Sequence, residues 1–194
     1  LDGKQMAVAN LVHGTRVAVI NRHSPYISPE TDALVTKDSD IILTLTGADC
    51  FPVYFEEKQT GIIGLAHCGW RGTVAGVVKE TVSEMKGLGS DVKDIHITFG
   101  PGICAQHFDI KKENEQLFMQ WPFAVHKKEN MARVDLQAIL KHQLQEAGVE
   151  EKNIETTNLC TYCLKEKYFS YRRDKPEYME TQLAYIVQFS HRKF

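Results

Sequence analysis

Between Ile41 and Met85 the apolar residues change period once, at His67, and that change limits what the chain can fold into. Before it, Ile41–Thr46, Val53–Glu56 and Gly61–His67 are short runs rich in Val, Ile, Leu and Thr, bounded by Gly, Pro, Asn or Asp, as strands are. Glu56–Gly61 reads as a hairpin loop between two of them. After His67, the residues Val74, Val77, Val78, Thr81, Val82 and Met85 recur at helical spacing and predict one helix, capped by Thr73 and stopped at Gly87 or Gly89. Further strands are expected at Thr15–Asn21 and Ile95–Gly100, then at Ile154–Leu159, around Phe169–Tyr171, and at Ala184–Phe189. Two more helices are expected, from about Lys111 to Met119 and over Leu136–Ala147, the latter with Asp135 as N-cap and Gly148 as stop. Strands that are mostly consecutive, with helices between groups of them, predict an α+β fold rather than a strictly alternating parallel sheet. No repeat, low-complexity tract or linker divides the chain, so residues 1–194 are read as a single domain.

Composition narrows the partners. A chain of 194 residues, 43% hydrophobic and 25% charged, suits one globular domain that buries about 70% of its unfolded surface. The net charge of −2 and the lack of a Lys/Arg block argue against nucleic acid or an anionic membrane as main partner. No apolar run approaches the roughly 20 residues of a membrane span. Five scattered cysteines, at 50, 68, 104, 160 and 163, suit reduced thiols or metal ligands better than a disulfide framework, which predicts a cytoplasmic location.

The chemistry concentrates where the period changes. Cys50, in Gly47-Ala48-Asp49-Cys50-Phe51-Pro52, and His67, in Ala66-His67-Cys68-Gly69-Trp70-Arg71-Gly72, both stand at ends of strand-like runs. His13, in Val12-His13-Gly14, is a third candidate, marked only by its context. Two imidazoles and a thiolate are the number of protein ligands a catalytic zinc uses when its fourth position stays open. In an extended strand Cys68 points away from His67 and cannot easily share its metal. The turn after His67, with Gly69, Gly72, Arg71 and a helix start, reads either as an anion cradle or as an ordinary strand-to-helix turn. Cys160-Thr161-Tyr162-Cys163 is half a zinc knuckle, so reduced cysteines near the core, or an occasional disulfide, are expected there instead of a structural metal. Phe169–Asp174 gathers aromatic and cationic groups, read either as a solvated surface strand or as a stacking and anion-contact surface.

Taken together, the motifs resemble those of the YfiH-like proteins, labelled polyphenol oxidase or laccase and later described as zinc-dependent purine nucleoside phosphorylases with adenosine deaminase activity. The resemblance rests on Val12-His13-Gly14, Asp32–Thr36, Ala48–Val53, His67–Gly72, Gly100–Ile103 with Phe108–Ile110, Cys160-Thr161 and Phe169–Arg173, all in the family's order. It implies mixed sheet layers flanked by helices (α/β/β/α-type) and metal ligation by His13, Cys50 and His67. Cys68 replaces the family's usual alanine, and Asp109 stands where glutamate is common. The family's N-terminal segment with its Gly-Gly-x-Ser turn is not found, so the domain is expected to lack it.

The function so implied acts on adenosine, inosine and, by extension, methylthioadenosine, with zinc as cofactor and nucleoside and phosphate as partners. Asp49 is then the candidate proton shuttle, and Arg71, Gly72 and Arg172 are candidates to hold phosphate, Arg71 also counting as catalytic. Two alternatives come from other chemistry. One is a copper-binding phenol oxidase, since copper competes for the same donors; a multicopper site is disfavoured because the eight histidines form no His-x-His pair. The other is a hydrolase using Cys50 as nucleophile and His67 as base, for which the family resemblance implies cell-wall precursors as substrate.

Overall fold

The computed structural model describes residues 3–127, 131–175, 177–178 and 180–188. In chain order its first strands are β1 (Gln5–Ala9), β2 (Val17–Val19), β3 (Ile27–Ser28), β4 (Ala33–Thr36), β5 (Ile41–Gly47), β6 (Phe51–Glu57) and β7 (Ile62–Cys68), followed by helices α1 (Trp70–Ala75) and α2 (Val77–Gly87). Then come β8 (Ile95–Phe99), β9 (Asp109–Ile110), β10 (Val125–Lys127), β11 (Ala132–Val134), α3 (Leu136–Glu146), β12 (Ile154–Thr156), α4 (Tyr171–Asp174) and β13 (Gln182–Val187).

Two mixed sheets lie face to face. The larger has the order β12-β8-β6-β7-β4-β2, the smaller β13-β5-β1-β3, and β10-β11-β9 forms a third, short sheet. Alternation along β7 shows how the layers are made. Ile62, Ala66 and Cys68 point into a core shared with Val78, Val82 and Met85 of α2 and Ile139, Leu140 and Leu144 of α3. Ile63 and Leu65 point the other way, into a second core with Ala7, Leu43, Leu45 and Ala184 of the smaller sheet. The fold is thus α+β, with helices on one face of the larger sheet and the smaller sheet on the other. On the smaller sheet's outward face Met6, Leu183 and Tyr185 are exposed. Wholly buried Phe55, Phe99 and Phe118 each contribute about 1.5–3 kcal/mol of burial to the larger core.

Several expectations change. The predicted helix begins earlier, at Trp70, and is broken at Gly76, whose φ of 91° ends α1 and starts α2. Thr73 lies buried inside α1, its hydroxyl bonded to the Gly69 carbonyl, and caps nothing. The segment around Phe169–Tyr171 is no strand: Ser170 caps α4 by accepting from Arg173 N–H, and Asp174 accepts from Ser170 N–H in return. The segment expected from Lys111 is a 3₁₀ run, Lys112–Phe118. The hairpin β6–β7 and helix α3, with Asp135 accepting from Ala138 N–H, match the reading closely. Phe189, the predicted end of the last strand, lies outside the described residues.

Candidate metal centre

The hinge between the two sheets builds the site. Strand β5 belongs to the smaller sheet and β6 to the larger, so the turn Ala48–Cys50 carries the chain across. The crossing needs a left-handed residue, supplied by Asp49 at φ 80°. Cys50 therefore emerges at the start of β6, where Pro52 pairs with His67 across the hairpin. His67 continues the Ile63–Leu65 row toward the space between the sheets, while Cys68 is buried on the helix side, where its thiol is raised well above its usual pKa by burial. His13 reaches the same space from the loop after β1. The ligand atoms of His13, Cys50 and His67 lie within 4.8 Å of one another, and the two imidazoles meet edge to face with centroids 4.9 Å apart.

Asp32, wholly buried, organises this trio. It precedes β4 and lies beside His67 because Ala33 pairs with Ala66. Its Oδ1 is 3.0 Å from His67 Nδ1, which turns the other ring nitrogen away from the carboxylate. The same carboxylate accepts the N–H groups of Val12, His13 and Gly14 at 3.2, 2.9 and 2.7 Å. Those bonds hold His13 at φ 61°, a conformation a non-glycine residue rarely adopts. Burial pushes Asp32 up in pKa, but its bonds to His67, Gly14 and Val12 outweigh that and hold it below the ordinary value. Burial likewise raises Cys50, yet hydrogen bonds from His13 and His67 bring it down to about 7. Burial lowers His67, and its bonds to Asp32 and Cys50 lift it to about 9. The result favours a thiolate beside imidazole donors.

Gly69 tests the fit. A Cβ there would stand 2.9 Å from His13 Cδ2, 3.0 Å from Cys50 Sγ and 3.5 Å from His67 Cε1, so the three side chains converge on a spot that only glycine leaves open. The donor set of two imidazoles and one thiolate suits zinc or copper.

The trio lines a cavity of about 570 Å³, whose walls include Asp49, Trp70, Arg71, Phe108, Tyr171 and Arg172. Its volume falls within the usual range of small-molecule sites. Arg71 is exposed, with its guanidinium 4.5 Å above the Trp70 ring. Arg172 sits 5.3 Å over Phe108 and donates to the Asp109 carbonyl at 2.8 Å. Asp49 accepts from Thr161 Oγ at 2.7 Å through one oxygen and from Arg172 N–H at 2.7 Å through the other. Gly72, the other phosphate-site candidate, is buried and is not among the residues lining the cavity, and a Cβ there would come 2.8 Å from the Gly14 carbonyl. Its smallness serves packing between the His13 loop and α1.

A second group is not visible in the sequence. The half knuckle Cys160–Cys163 meets another half, Cys104-x-x-His107, and their four ligand atoms lie within 4.8 Å of one another, a group able to hold a metal ion. Neither half announces the other, because they are far apart in sequence and are brought together beside the bridge of Gly102 to Cys160. Asp32 escaped a role for the same reason, since its partner His67 is reached through strand pairing.

The family model described as multi-copper polyphenol oxidoreductase laccase matches residues 1–187. An adenosine deaminase, RL5, from an unknown prokaryotic organism is 31% identical over 187 residues, 89% of this chain and 71% of its own length. A purine nucleoside phosphorylase of Deinococcus radiodurans is 33% identical over 170 residues, 85% of this chain. The chain spans 63% of that relative's length. The crystal structure of Bacillus licheniformis hypothetical protein YfiH matches with a TM-score of 0.89 at 26% identity, covering 97% of this chain and 76% of that one.

Proposed function

The chain belongs to the YfiH family, whose model is described as multi-copper polyphenol oxidoreductase laccase, and from that membership we propose that it is a zinc-dependent purine nucleoside phosphorylase with adenosine deaminase activity. The observation that carries the reading is the convergence of His13, Cys50 and His67 on the wall of a cavity that two arginines also line. Bound there, zinc would supply Lewis-acid polarisation of an oxygen. The chain's own residues account for the other needs. Asp32 holds His67 in one orientation, as carboxylates behind metal-bound histidines do. Arg71 and Arg172 bring cationic donors for phosphate to the cavity wall. Trp70, Phe108 and Tyr171 offer aromatic surface to a purine. Asp49 keeps one lone pair on each oxygen beyond its bonds to Thr161 and Arg172, which allows it to pass a proton. The test is to incubate protein of known zinc content with adenosine or inosine, with and without phosphate, and to identify the products by chromatography. Inosine or free purine base supports the reading; no product from either nucleoside, with zinc bound, refutes it.

One observation favours a second reading. Cys50, lowered to about 7, lies beside His67, which is bonded to Asp32, an order that also suits a metal-free thiol nucleophile, base and orienting carboxylate. Turnover that survives complete metal removal would select it.

A further inference from the structure

We propose that Cys104, His107, Cys160 and Cys163 bind a second metal ion, a structural zinc closed by three thiolates and one imidazole. The geometry carries this. Zinc bonds of about 2.3 Å to sulfur and about 2.0–2.1 Å to nitrogen place sulfur and nitrogen ligands about 3.6 Å apart along a tetrahedron's edge. His107 Nδ1 lies 3.2 Å from Cys104 Sγ and 3.5 Å from Cys163 Sγ, and all four ligand atoms fall within 4.8 Å. Each half has the two-residue spacing of a zinc knuckle. Each also turns back on itself, with His107 N–H bonded to the Cys104 carbonyl and Leu164 N–H to that of Cys160. The Cys104 N–H points at Cys160 Sγ, 3.3 Å away, the kind of donor that stabilises a ligating thiolate. The His107 ring is fixed by stacking on Tyr162, centroids 4.0 Å apart and planes 14° from parallel.

All four positions are filled by protein, so this site has no place for substrate and its function is to hold segments together. The segments are informative. Cys104 and His107 lie in the loop that sends Ile103 and Phe108 to the large cavity, and Cys160 and Cys163 precede α4, which sends Tyr171 and Arg172. The second metal would staple together two segments that contribute to the wall of the same cavity as the first centre.

The experiment is zinc analysis with cobalt substitution. Wild-type protein, purified without chelator, should carry about two zinc ions per chain, and Cys50→Ala about one. Cobalt in Cys50→Ala should give an intense thiolate-to-cobalt charge-transfer band with tetrahedral visible bands, since only the second site still has thiolate ligands. Adding Cys163→Ser, a change at an exposed position, should abolish or sharply weaken that band. The proposal is overturned if Cys50→Ala binds no zinc and shows no such band, if the band is unchanged by Cys163→Ser, or if mass mapping of wild type finds a disulfide among the three cysteines. Each outcome is independent of nucleoside turnover.

Discussion

Asp32 Oδ1 stands 3.0 Å from His67 Nδ1, and both side chains are almost completely removed from solvent. One carboxylate thereby orients an imidazole and, through three backbone N–H groups, sets the loop that carries His13. Asp32→Asn keeps the shape but replaces one accepting oxygen with a donor and removes the charge. Metal affinity, measured by competition with a chromophoric chelator, should fall by about 10–100-fold. Unchanged affinity would show that the carboxylate does not tune the site.

Gly69 has φ −74° and ψ 165°, which alanine adopts freely, so any effect of Gly69→Ala arises in the site and not in the backbone. The added methyl would contact His13 and Cys50 at 2.9 and 3.0 Å. The variant should lose zinc from this centre while its metal-stripped form melts close to the stripped wild type. Retention of the metal at wild-type affinity would contradict the convergence described.

In metal-stripped protein Cys50 and His67 form a thiolate–imidazolium pair over the window from about 7 to about 9. Cys50 lies below its ordinary 9.0, so its contribution to stability is lost as pH falls through about 7. His67 lies above its ordinary 6.5, so its contribution is lost as pH rises through about 9. Alkylation of Cys50 by iodoacetamide should follow the thiolate, with a midpoint near 7, and bound zinc should protect. A midpoint near 9.0 would remove the assigned pairing.

How much of this was legible in the sequence differs by residue. The opposite fates of His67 and Cys68 follow from strand alternation alone, and the apolar face of α2 follows from helical spacing. The break at Gly76 was hidden because the same apolar face continues across it, from Val74 to Val77. Around Phe169 the aromatic residues suggested a strand, and the reciprocal bonds between Ser170 and Asp174 decided otherwise. Long-range partners were the least accessible: Asp32 with His67, and Cys104 with Cys160, are set by sheet register and loop packing that no local pattern records.

Arg71 offers a way to separate the two proposed reactions. Arg71→Ala removes an exposed cation from the cavity wall without disturbing a buried bond. Phosphorolysis of inosine should show a raised apparent KM for phosphate, roughly tenfold for a lost charge-assisted contact, while adenosine deamination, which uses no phosphate, stays near wild type. Equal loss in both reactions would mean that Arg71 serves the nucleoside and not phosphate.

The central claim is that the metal held by His13, Cys50 and His67 enables chemistry on purine nucleosides. Its most direct test is the release of hypoxanthine from inosine in the presence of phosphate, and of ammonia from adenosine without it, by wild-type protein and Cys50→Ala, each with its zinc content measured. The account predicts turnover in wild type, with both the turnover and one zinc lost in the variant. Full turnover in Cys50→Ala, or an inert wild-type protein with zinc bound at this centre, would contradict it.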